Sequence, residues 1–191
     1  MALSGDPHGS NQAIQSVLAA SLANSGTVAS PLPGLEFFHD IYASGNLTTV
    51  IATNARVASG ETPVRITWDY NALAGADGIG AAVPITVVAP QDGLLAGLYV
   101  QAISAYAPHP LAAKLWMEYL YSDTGQLAWM QGYRHPVREA DLRARNVVPE
   151  EISAKMPDAS GAVFPSNADL VAGWEIVVNN WDVVVGADIH N

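Results

Sequence analysis

The chain has 191 residues, half of them hydrophobic, with no cysteine and a formal net charge of −10. That length supports one good core, or one compact lobe with an appendage. Only eight Lys and Arg are present, and they are scattered. A nucleic-acid or anionic-membrane partner needs clustered basic side chains, so the composition disfavours both. The missing cysteines remove disulfides, thiolate metal sites and cysteine nucleophiles.

The elements follow in chain order. Ala2-Leu3-Ser4 reads as the end of a strand, and Gly5 to Asn11 is turn chemistry. Ile14, Val17, Leu18 and Leu22 recur at helical spacing, with Ser10 or Asn11 as cap and Gly26 as stop. A second helix starts near Pro33 and buries Leu35, Phe38, Ile41 and Tyr42. A short third one covers 53–59. Strands are predicted at 63–68, 84–89 and 98–103, each rich in β-branched residues. Helices alternating with short apolar strands predict an α/β fold.

From His109-Pro110 onward the pattern is mainly helical. Pro110 suits a first helical position, and Ala112, Leu115, Trp116, Tyr119 and Leu120 form an apolar stripe. Asp123 and Gln126 read as a capping box for a helix that ends at Gly132. The last helix starts near Ser166, with Leu170, Trp174, Val177, Val178 and Trp181 on one face. No run is long and apolar enough to span a bilayer, and the first residues show no signal-peptide pattern.

Six blocks, in order, resemble one family. Ala2-Leu3-Ser4-Gly5-Asp6-Pro7 is similar to its ALxGDP block, and Pro33 to Phe38 to its PGxxFF helix start. Ser59 to Val64 with Trp68-Asp69-Tyr70-Asn71 resembles SGxTPV…WxYN. Ala107 to Trp116 resembles APHPxAAxLW, Tyr121 to Gln126 resembles YSDxGQ, and His135 to Arg138 resembles the PVR loop. The family is the extracellular solute-binding proteins of ABC importers, in the iron, polyamine, thiamine and aminoalkylphosphonate group.

The resemblance implies a type II periplasmic-binding fold with a mixed sheet flanked by helices, a ligand cleft between two lobes, a hinge motion on binding, and a permease partner. It implies a periplasmic or extracellular, cell-surface-attached protein. Residues 1–97 are expected to form the ligand-facing α/β lobe, and 98–191 a hinge strand and helical return segment. In the family about a lobe of sequence precedes the GDP block, so this chain is expected to be a fragment without the N-terminal lobe. Its helical stripes would then be exposed, which favours a homodimer.

Two segments are candidate ligand contacts. His8, Gly9, Ser10 and Asn11 lead into a helix N-terminus, where backbone N–H groups and the dipole attract an anion; an ordinary capped turn is the alternative. Trp68, Asp69 and Tyr70 follow a strand. The aromatics suit stacking on a cation or an apolar stem, and Asp69 suits an ammonium. In a continuing strand Asp69 would point away from the other two, so all three reach a ligand only if the strand has turned. Together the segments point to a small polar or zwitterionic solute such as an aminoalkylphosphonate or a polyamine.

His109 and His135 read as structural, His39 and His190 as isolated, and no pair has metal-ligand spacing. No nucleophile-elbow motif is present, and the sequence indicates no catalytic residue, metal or cofactor. Glu36, Asp40, Glu118, Glu150 and Glu151 read as solvated helix faces. A small α/β hydrolase or transferase, and an assembly module dimerising through exposed helices, are the other readings.

Overall fold

Parallel pairing organises the N-terminal half. The structure is a computed structural model, and it describes residues 1–190. Strand β1 (Ala2–Leu3) pairs with β2 (Arg65–Ile66), Ala2 opposite Arg65 and Leu3 opposite Ile66. On the other side of β1, the backbone N–H groups of Thr48 and Ala52 donate to the carbonyls of Met1 and Leu3 at 2.9 and 2.8 Å. Beyond them, Val50 bridges to His190. Every pairing among the described residues is parallel, so the expected mixed sheet is instead a small parallel one.

Parallel neighbours require a crossover, and two helices supply it between β1 and residues 48–52. Helix α1 (Asn11–Ala23) is capped by Ser10, whose Oγ accepts from the Ala13 backbone N–H. Ile14, Val17 and Leu18 are fully buried at helical spacing. Helix α2 (Leu32–Ala43) buries Leu35 and Phe38. Gly34 sets how closely the two helices approach, because a Cβ there would stand 2.1 Å from the Val17 carbonyl oxygen. The short helix α3 (Asn54–Ala58) is capped by Thr53.

The strand reading fails between residues 80 and 109, where the backbone forms no helix or strand. The segments 84–89 and 98–103 are irregular; nearby, only Leu95 forms a bridge, to Val163. β-Branched residues favour a pleated surface only when a neighbour supplies the ladder. Here Val88, Leu98, Tyr99 and Val100 are exposed.

A helix that the sequence reading missed, α4 (Asp69–Ile79), begins directly after β2. The C-terminal half adds α5 (Pro110–Tyr121), α6 (Asp123–Gln131), α7 (Glu139–Ala144), α8 (Glu150–Ser153) and α9 (Asn167–Asn180). Helix α6 is capped one residue earlier than expected: Ser122 Oγ accepts from the Gly125 N–H, and Asp123 is its first residue. Helix α9, capped by Ser166, continues into a π-helical turn at Trp181–Val185 that ends on Gly186 in the left-handed region.

Two apolar clusters result. The larger joins Leu3, Ile14, Leu18, Leu35 and Phe38 to Val177, Trp181 and Ile189, so the C-terminal helix completes the core of the N-terminal half. Trp181 is wholly buried and its indole N–H donates to the Ala187 carbonyl at 2.7 Å. The smaller cluster gathers Met130, Leu142 and Met156.

Candidate functional site

β1 and β2 run the same way, so the segments that follow them, Ser4 onward and Thr67 onward, leave from one edge of the sheet. The carboxyl edge of a parallel sheet is where open α/β folds place ligands. The side chains of Gln12 and Thr67 hydrogen-bond across this edge. Arg65 Nε donates to Ser4 Oγ at 2.8 Å, and Ser4 Oγ to the Ile66 carbonyl at 2.7 Å.

An open cleft of about 1720 Å³ begins here. Gln12 and Gln15 of α1 line it, as do Trp68, Asp69 and Tyr70, Tyr99 of the irregular segment, and Arg134 and His135 of the loop before α7. The backbone turns from strand to helix at Trp68, which is the condition for Trp68, Asp69 and Tyr70 to share a cavity. All three line it.

The other predicted segment lies elsewhere. None of His8, Gly9, Ser10 and Asn11 lines the cleft. The N–H groups of Gly9 and Ser10 donate to the Asp6 carbonyl at 3.2 and 2.8 Å, and that of His8 donates to the Asp6 carboxylate at 2.9 Å. Those donors are spent inside the turn. The His8 ring sits between the carboxylates of Asp6, at 2.7 Å, and Asp182, at 3.0 Å. Its hydrogen bond to Asp6 raises its pKa. Asn11 Oδ1 accepts from Gln15 Nε2 at 3.0 Å.

A family model described as bacterial extracellular solute-binding protein matches residues 9–151, three-quarters of the chain. The chain belongs to that family. This solute-binding protein thus carries the role the family serves, capture of a solute for ABC-type import. A comparison with curated proteins gave no match. No helix among the described residues is long and apolar enough to cross a membrane.

Asp69, His135 and Glu139 in the polar wall of the binding protein's cleft are already paired with one another. Asp69 Oδ1 accepts from the Tyr70 N–H at 2.8 Å, and Oδ2 lies 3.1 Å from His135 Nε2. His135 Nδ1 lies 2.7 Å from Glu139 Oε2. Hydrogen bonds to Asp69 and then Glu139 outweigh burial and push the His135 pKa up to about 9. Burial raises the Glu139 carboxyl, yet its bonds to His135 and Arg143 prevail and leave it below its ordinary value.

Tyr70 Oη is 2.7 Å from Tyr99 Oη, and the Arg134 guanidinium lies 4.1 Å from the Tyr70 ring centre. Burial, and then the bond to Tyr99, lift the Tyr70 phenol to about 12. Sequence reasoning treated His135 as structural and passed over Gln15 and Arg134. The i,i+4 spacing of His135 and Glu139 was visible, but the approach of Asp69 is tertiary. Among the described residues, no group of His, Asp and Glu is arranged to hold a metal.

Proposed function

We propose that this protein captures a small polar or zwitterionic solute in the cleft walled by Gln12, Trp68, Tyr70 and Arg134, and delivers it to an ABC permease from a periplasmic or cell-surface position. The observation that carries this reading is that Trp68, Asp69 and Tyr70 line one cleft with polar side chains from two distant parts of the chain. A few placed polar groups in a largely apolar concavity are what solute capture needs. The volume exceeds the roughly 300–1,000 Å³ of common ligand pockets, as suits a cleft that narrows around its solute.

In this reading the lobe architecture is of the type II periplasmic-binding kind. Residues 1–97 form the solute-facing lobe, and 98–191 the return segment, whose last helix packs back onto that lobe. The larger apolar cluster takes residues from both segments, and the smaller lies wholly within 98–191.

The enzyme alternative requires a free acid or base in the cleft. Each His135 ring nitrogen faces a carboxylate, and the ring stays protonated at neutral pH. As an imidazolium it is no base, and both of its N–H donors are already directed at carboxylates of the protein.

Thermal-shift screening against aminoalkylphosphonates, polyamines and other small zwitterions tests the proposal. At a hundred times Kd a ligand adds about 2.7 kcal/mol, a rise of roughly 5–10 °C for a chain of this size. Trp68→Ala should remove that rise. A panel with no shift, or a shift indifferent to Trp68→Ala, overturns the assignment.

A further inference from the structure

The chain has eighteen Asp and Glu, and most of its basic side chains hold one of them. Among the described residues Arg65, Lys114 and Arg134 have no carboxylate within ion-pair distance. Arg65 and Arg134 line the cleft, and Lys114 does not. Arg65 is tied to neutral acceptors: Nε donates to Ser4 Oγ and Nη1 to Asn54 Oδ1, at 2.8 and 2.7 Å. Arg134 spends only Nη1, on the Gly132 carbonyl at 3.3 Å.

The remaining donors of Arg134, on Nε and Nη2, form one edge of the guanidinium, where two N–H bonds run side by side. That edge is not sealed off. Among the described residues the partnerless side-chain polar atoms that are closed to solvent are Gln15 Oε1 and Thr62 Oγ1. The Arg134 guanidinium lies over the Tyr70 ring, which lines the same cleft, and the contact holds the cation against that wall. Its turn is anchored too. Tyr133, in the left-handed region at φ 60°, is bonded through its hydroxyl to Asp77 and Lys155.

Charge in the wall points the same way. Asp69 and Glu139 are matched there by protonated His135 and by Arg143, so Arg134 adds positive charge that its neighbours leave unmatched. Asp92 and Asp158 also line the cleft, and neither pairs with Arg134.

Resting on the cleft reading above, we infer that the free edge of Arg134 binds an oxyanion group of the solute, a carboxylate or a phosphonate. Paired N–H donors fit two oxygens of either group at once, and the charge strengthens both bonds.

Calorimetry on the whole chain tests this at about 0.15 M salt, where distant charges are screened. The probes are β-alanine, 4-aminobutanoate and 2-aminoethylphosphonate. Each is titrated beside a counterpart without the anion: β-alaninamide, 4-aminobutanamide and diethyl 2-aminoethylphosphonate. Wild type should bind at least one acid about tenfold more tightly than its counterpart. Arg134→Gln should erase that preference and leave the counterpart's affinity unchanged. Arg134→Lys, which keeps the charge and loses the paired edge, should restore part of it. Lys114→Gln removes a charge outside the cleft and should leave every affinity as in wild type.

Equal affinity within every pair overturns the inference, as does a preference that survives Arg134→Gln or disappears equally in Lys114→Gln. Loss of the counterpart's binding in Arg134→Gln would assign the side chain to holding the cleft together, and the inference falls. It falls as well if no acid binds. In that event the thermal-shift panel, whose polyamines carry no anion, still decides the cleft reading through Trp68→Ala.

Discussion

His135 is the residue on which most of the cleft's polar wall depends. It stands between Asp69, at the start of α4, and Glu139, at the start of α7, and so links two elements that otherwise meet only loosely. The sign of its pH dependence follows from the raised pKa. The folded ring titrates at about 9, whereas an unfolded histidine titrates near ~6.5. Its contribution to stability is therefore complete below about pH 6.5 and is lost as pH climbs through about 9. At 23% exposure the effect is on the order of 1–3 kcal/mol. Urea midpoints for wild type should fall between pH 6.5 and 9.5, while His135→Gln should show a much flatter profile over that interval. Parallel profiles for the two proteins would detach the effect from this side chain. Part of this cluster was legible in the sequence: Trp68 and Tyr70 are cleft residues on chemistry alone. Asp69's engagement was not, because its partner lies 66 positions away.

At the scale of elements, local signals served wherever the stabilising groups are close in sequence. Ser10, Thr53 and Ser166 cap helices by bonding a backbone N–H three residues on, and the helices they start were all readable. Helix α4 was not, since Trp68 offers no side-chain cap and its apolar face is weakly patterned. The 84–89 and 98–103 segments mark the opposite failure. Their β propensity is real, but strands exist only in pairs, and pairing is a tertiary fact.

Close approaches between elements were equally invisible, and they yield a mutational prediction. A methyl at Gly34 would meet the Val17 carbonyl, and one at Gly173 the Val28 carbonyl, each at 2.1 Å. Backbone cannot give way as a flexible side chain can, so Gly34→Ala and Gly173→Ala should each cost about 1–3 kcal/mol or more. Gly9→Ala, with open space around it, is the control and should stay within about 1 kcal/mol. Chemical denaturation checks all three, and a stable Gly34→Ala would mean that α1 and α2 can separate at little cost.

Across the whole molecule, apolar surface and charge oppose each other. Helix α5 packs on α6, yet Leu111, Leu115 and Trp116 remain 76, 71 and 58% exposed, and Trp116 stacks on its neighbour Tyr119. A stripe of that kind drives association. The net charge of −10 drives copies apart. The Debye length decides between them: it falls from about 30 Å at 0.01 M salt to about 8 Å at 0.15 M, so repulsion fades while the apolar attraction persists. The mass seen by light scattering should then rise with protein concentration at 0.15 M salt and much less at 0.01 M. Leu115→Lys should suppress the rise through the added charge and lost apolar contact. Its effect on the unfolding midpoint should stay small, within about 0.5 kcal/mol, because an exposed side chain contributes little to the fold. A monomer at every salt concentration would show that the stripe does not self-associate, and would remove the case for a homodimer through α5.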